Sequence, residues 1–164
     1  MPCILCILLF LIFNVKAYTT QENFPCLVLL MLLYGWSCIP LMYPLNYMFK
    51  VPSTAFVVSS SMNVFIGTIT TLATTVLTQL GSTEPDLLKI NDIIKPIFII
   101  LFPHYCLGQG FIQMSLLYYT NKINQEFGIV NSYDPFKFEN NGRNLLAMFF
   151  QGIVYFILNL LIQY

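Results

Sequence analysis

Residues 96–121 read PIFIILFPHYCLGQGFIQMSLLYYTN, a stretch without Asp, Glu, Lys or Arg that is interrupted by Pro103, Gly108 and Gly110. An α-helix rises ~1.5 Å per residue, so ~20 apolar residues cross the ~30 Å hydrocarbon layer of a bilayer. The stretch is long enough to cross once. Yet proline removes a backbone donor, and glycine lets the chain turn at low steric cost. The halves on either side, 93–102 and 111–119, are each ~10 residues or ~15 Å, half the depth of a bilayer. A re-entrant helix pair, dipping in and returning to its own side, fits better than a single span, with its turn at Pro103, Gly108 and Gly110. Backbone broken at membrane depth persists only where protein or water covers it.

Four further stretches are equally free of charge: 1–15, 23–49, 51–83 and 144–164. All but the first are long enough to span. Hydrophobic residues make up 57% of the chain and charged residues 9%, against ~25% charged in an ordinary globular domain. Runs this continuous point to helices, because every backbone polar group in hydrocarbon must be bonded within its own segment. The alternating ~10-residue strands of a membrane barrel are absent. The fold class expected is therefore all-α: a polytopic membrane bundle with helices at about 1–15, 24–48, 51–80 and 144–164 and a re-entrant pair at 92–120. Residues 1–15 are ~22 Å long as a helix. Two readings are open there, a signal peptide without its basic region and a transmembrane helix whose beginning is missing, and the second is preferred.

The formal net charge is zero, which removes any electrostatic case for nucleic acid or for recruitment to anionic lipid. No intramembrane carboxylate or base is placed for an ion or proton relay. No nucleophile–base pair and no set of metal ligands is visible, so no catalytic, metal or cofactor residue is assigned. Cys3 and Cys6 sit at helical spacing in an apolar run, and His104 is the single histidine; a capping or interfacial place suits it. Cys26 and Cys106 are the pair to consider if an extracellular disulfide forms.

Local signals fill in the bundle. Pro40 and Pro44 should kink or end the second helix, and Trp36, Tyr43 and Tyr47 are aromatics of the headgroup kind. Lys50 and Pro52 mark a tight hairpin turn. Within 51–80, Ser59, Asn63, Gly67, Thr71 and Thr75 recur every four residues, one drifting face of small and hydroxyl side chains. Such a face suits close helix packing, or it lines a path for an amphiphile; both readings stay open. Lys122–Arg143 is the one substantial polar loop, its charges balanced.

Several of these stretches together resemble the second transmembrane domain of the ATP-binding cassette subfamily A lipid transporters, an ABC-2 type, type V exporter fold. They are Tyr34-Gly-Trp-Ser-Cys-Ile-Pro-Leu-Met-Tyr-Pro44, Phe49-Lys-Val-Pro-Ser-Thr-Ala-Phe-Val57, Asn63-Val-Phe-Ile-Gly67, Phe102-Pro-His-Tyr-Cys-Leu-Gly-Gln-Gly-Phe-Ile112 and Gly142-Arg-Asn-Leu-Leu-Ala-Met148. The likeness covers essentially the whole chain, with Gln109 standing where the family usually has Arg. It implies a fragment: the outer part of a third helix, then a fourth and fifth, the extracellular re-entrant pair and a sixth. It implies cytoplasmic ends and an extracellular 122–143, although the positive-inside bias alone would put that loop in the cytoplasm. The function implied is movement of phospholipid or sterol, with membrane lipid and the remaining transmembrane and nucleotide-binding domains as partners. ATP and Mg would be bound by those missing domains, since no G-x-x-x-x-G-K-[ST] loop occurs here. The alternative is a stand-alone multi-pass membrane scaffold or interaction protein.

Overall fold

A computed structural model describes residues 2–47, 51–81, 85–128 and 135–163, which form helices and the short turns joining them, with no strand among them. In chain order the elements are α1 (Pro2–Ile12), a single turn α2 (Lys16–Thr19), α3 (Phe24–Tyr47), α4 (Pro52–Leu80), α5 (Pro85–Leu101) and α6 (Pro103–Glu126). A π-helical turn at Phe138–Gly142 then leads into α7 (Arg143–Gln163). Pro52 and Pro103 occupy first helical positions, where a missing N–H costs nothing and φ is already set. Asp86 lies in the first turn of α5 and pairs with Lys89 at 3.0 Å. Both side chains are exposed, so the pair adds little stability; it marks a wet end.

Apolar windows Phe24–Pro44, Val57–Leu80 and Asn140–Ile162, of 21, 24 and 23 residues, make α3, α4 and α7 long enough to cross a bilayer. The 11 residues of α1 are too few alone. Burial is inverted relative to a water-soluble fold. Leu32, Phe65, Phe150 and Leu161 are 60–73% exposed, whereas Ser37, Thr74 and Asn141 are fully buried. Only a hydrocarbon solvent tolerates that much contiguous apolar surface. The interior is correspondingly small: Cys26, Leu27 and Leu30 of α3, Ile99 of α5, Tyr105, Cys106 and Met114 of α6, and Leu145 and Met148 of α7.

Side-chain contacts fix the directions of the rods. Asn141 lies beside Cys26, Trp36 against Gly152 and Asn159 beside Pro40, so α3 and α7 run parallel. Ser59 reaches Met42, and α4 returns antiparallel to α3. His104 meets Cys38 and Tyr34, Gly110 meets Leu30 and Phe111 meets Tyr18, so α6 is also antiparallel to α3. One face of the bundle, the upper face below, therefore holds the starts of α3, α5 and α7 and the end of α4. α1 climbs toward it, with Cys3 level with Met31 and Phe10 packed on Tyr18.

The pair α5–α6 turns through 119° at Phe102. His104 contacts α3 some ten to fourteen residues from its start, ~15–21 Å below the upper face and close to mid-bilayer. A bend this sharp belongs to a re-entrant loop or to a broken span. Several details differ from expectation. The arms hold 17 and 24 residues, far longer than the halves read from the sequence, and the turn is at Phe102–Pro103 alone. Gly108 and Gly110 lie inside α6, where they serve close approach. Of the two outcomes expected at Pro40 and Pro44, a kink or an end, the end does not occur, since α3 continues to Tyr47. The expected polar loop is also shorter, because α6 persists to Glu126. Trp36 packs near mid-depth on Gly152, not at the headgroups. The turn at Lys50 falls outside the described residues, as does the side chain of Tyr47.

Candidate functional site: a capped break and a polar seam

Breaking a helix in hydrocarbon strands the last carbonyls of α5, each at a cost of several kcal/mol if left bare. Pro103 makes this worse, since it offers no N–H to Ile99 O. Here every one of those carbonyls has a donor. Phe98 O accepts from Phe102 N at 2.9 Å. Gln151 of α7 donates its Nε2 to Ile99 O at 2.7 Å and to Ile100 O at 2.9 Å. Cys106 Sγ also reaches Ile99 O at 3.3 Å, and Tyr155 OH donates to Leu101 O at 2.7 Å. The last helix thus caps the bend between α5 and α6 from outside.

A second proline shows the same remedy. Pro44 has no N–H for Pro40 O, four residues earlier, and Asn159 Nδ2 donates to that oxygen at 2.6 Å. Gln151, Tyr155 and Asn159 recur every four residues on an otherwise apolar helix. That spacing is the signal for them in the sequence.

The other side of the pair packs on α4. Thr74 Oγ1, fully buried, accepts from Gln109 Nε2 at 2.8 Å and from Tyr105 OH at 3.1 Å. It donates back to Thr70 O at 2.9 Å. One turn on, Asn91 Nδ2 of α5 donates to Thr78 Oγ1 at 2.9 Å. Gln109 is therefore a buried member of a neutral seam. Glycine makes the approach close enough. A Cβ on Gly67 would sit 2.7 Å from His104 Cβ, one on Gly108 2.5 Å from Thr71 Oγ1, and one on Gly110 2.7 Å from a Leu30 methyl.

The face expected from sequence divides between two neighbours, with Gly67 and Thr71 on this seam and Ser59 and Asn63 against α3. Ser59 and Asn63 are buried and donate to Met42 Sδ at 3.4 and 3.9 Å. Gly67 meets His104 and Thr71 meets Gly108. Thr75 is half-buried and bonds only to its own helix, at Thr71 O, 2.7 Å. The structure adds Thr74 and Thr78, which the four-residue repeat skips. Of the expected turn residues, Pro103 is at the break, while Gly108 and Gly110 are contact points on α6. Cys26 and Cys106 are not joined by a disulfide. Asn141 bridges instead, its Nδ2 donating to Cys26 Sγ at 3.7 Å and to Gly110 O at 3.3 Å.

Comparison with known proteins agrees with this architecture. Residues 1–161 match the family described as ABC-2 family transporter protein. The retinal-specific phospholipid-transporting ATPase ABCA4 of Bos taurus is 46% identical over 95% of the chain. The phospholipid-transporting ATPase ABCA7 of Homo sapiens is 42% identical over 99%, and the human ATP-binding cassette sub-family A member 2 is 39% identical over 99%. The chain spans only 7–8% of the length of these relatives.

Proposed function

From the premise that this chain belongs to the ABC-2 family of transporter proteins, as an integral multi-pass membrane segment, we propose that it forms part of the lipid pathway of an ATP-binding cassette transporter. Its place would be the later part of the second transmembrane domain. The observation carrying this reading is the sharply bent α5–α6 pair, whose end carbonyls are capped by Gln151 and Tyr155 of α7. Two relatives are named phospholipid-transporting, and the spans carry no charged relay of the kind an ion would need. An amphiphile is the substrate class that suits such a bundle.

Nothing in the chain fits ATP phosphates, so hydrolysis is assigned to domains outside it. What these residues contribute is mechanical. Gln151 and Tyr155 fasten the tip of α5 to α7, and Thr74 and Thr78 fasten α4 to the same pair. Four helices then move as one body when a neighbouring domain tilts any of them. In this reading the Ser59–Thr75 face holds α4 against α3 and α6, and does not line the lipid route.

A chimera tests the proposal. Residues 1–161 replace the matched segment of the human ABCA7 relative, and the product is reconstituted in proteoliposomes. ATP-dependent movement of a labelled phospholipid should persist, and Gln151→Leu should reduce it while nucleotide binding is kept. A folded chimera that hydrolyses ATP at the normal rate and moves no lipid would end the proposal.

A further inference from the structure

Two prolines four residues apart weaken α3. Pro40 withholds an N–H from Trp36 O, and Pro44 withholds one from Pro40 O, so two successive turns each lack a backbone bond. Sharp helix bends gather at such places. The two sides of the weak point are held unequally. Above it α3 is clasped: Asn141 reaches Cys26, Gly110 meets Leu30, and the Trp36 indole lies so close to Gly152 that a Cβ there would be 2.1 Å from its Nε1. Below it, Met42 accepts from Ser59 and Asn63 of α4 through a flexible thioether, at 3.4 and 3.9 Å. Toward α7 there is a groove of about 550 Å³, walled by Ile39, Tyr43, Phe156 and Leu160. Free volume beside a weakened helix is room for it to bend.

One side chain bridges the weak point. Asn159 Nδ2 of α7 donates to Pro40 O at 2.6 Å, in place of the N–H that residue 44 lacks. This bond joins α3 to another helix, so it can open while both helices stay intact. We propose that Pro40–Pro44 is a latched hinge: α3 below Pro40 swings as a separate limb, and the Asn159 amide pins it against α7. Residues 41–47 make an arm ~10 Å long, and a bend of ~20° moves its end by ~4 Å. Met42 sits on that arm, so its partners Ser59 and Asn63 carry the lower part of α4 along with it. The hinge is a motion of the bundle itself, whatever it carries. It therefore stands or fails separately from the function proposed above.

The test uses the whole chain in nanodiscs, with its native cysteines replaced and nitroxide pairs introduced by Tyr47→Cys with Ile97→Cys and by Leu29→Cys with Ile97→Cys. The first pair straddles the hinge and the second lies above it; Leu29 and Ile97 are exposed. Pulsed electron paramagnetic resonance reads both distance distributions. Asn159→Leu should shift or widen the 47–97 distribution by ~4 Å and leave the 29–97 distribution unchanged. Pro44→Ala gives Pro40 O a backbone donor, so adding it to Asn159→Leu should return the 47–97 distribution to its parental width. One restored N–H would not repair a bundle that had merely loosened. Should Asn159→Leu fail to fold, Pro40→Ala with Pro44→Ala, which restores both backbone bonds, should give a narrower 47–97 distribution than the parent. An unchanged 47–97 distribution in Asn159→Leu, no recovery with Pro44→Ala, equal change in both pairs, or equal widths for the parent and the double alanine chain would each overturn the hinge.

Discussion

Replacing Gln151 by leucine tests the capped break directly. The substitution keeps helix propensity and volume but deletes the donor at 2.7 Å from Ile99 O and 2.9 Å from Ile100 O. Interhelical hydrogen bonds in membranes are worth ~0.6 kcal/mol on average and ~1.7 kcal/mol at most. Two are lost. Ile99 O keeps a weak partner in Cys106 Sγ at 3.3 Å, while Ile100 O has no substitute. One effect runs the other way: Gln151 Oε1 is itself buried without a partner, and leucine removes that penalty. The expected net destabilisation is ~1–3 kcal/mol. It should be read from reversible unfolding in mixed micelles followed by circular dichroism, with Phe150→Leu, on the exposed side of the same helix, as the neutral control. A Gln151→Leu chain as stable as the parent would falsify the view that α7 holds the turn together.

Glycine substitutions should rank by what they strike. Gly67→Ala meets the Cβ and backbone of His104 and should cost ~1–3 kcal/mol in the same unfolding assay, whereas Gly110→Ala meets only the movable methyls of Leu30 and should cost less. The reverse order would mean that α4 and α6 are not in close contact. Thr74→Val strands both Gln109 Nε2 and Tyr105 OH and should destabilise by ~1–3 kcal/mol. Thr74→Ser, which keeps the hydroxyl, should recover most of that. In a chain stripped of native cysteines, Asp86→Cys and Gln125→Cys should react with an impermeant maleimide from one side of the membrane and Val51→Cys from the other. Labelling of positions 86 and 125 from opposite sides would show that α5–α6 crosses the bilayer.

The bundle was legible because long charge-free runs admit one backbone solution in hydrocarbon, and Pro103 announced the break because proline cannot complete the preceding turn. Gly108 and Gly110 misled for a physical reason. Glycine serves equally where a chain must bend and where two chains must touch, and local sequence does not distinguish the two. The α4 stripe was found through its period, yet Thr74 and Thr78 escaped, since the contact depends on the tilt of α6 across α4. Gln151, Tyr155 and Asn159 are the instructive omission. Each looks harmless inside an apolar helix, and their use appears only when the carbonyls of another element are counted as unpaired.

α6 starts beside Cys38 of α3 and is 24 residues long, so it is ~36 Å from end to end. The first turns of α6 pack against α3 and α4, and Ile123 and Phe127 at its far end are exposed. A rod held this way works as a lever: a few degrees of tilt in α7 at the fulcrum become several ångströms of sweep at the far end. Whatever is docked there would sense motion of the lipid-facing helices without touching them.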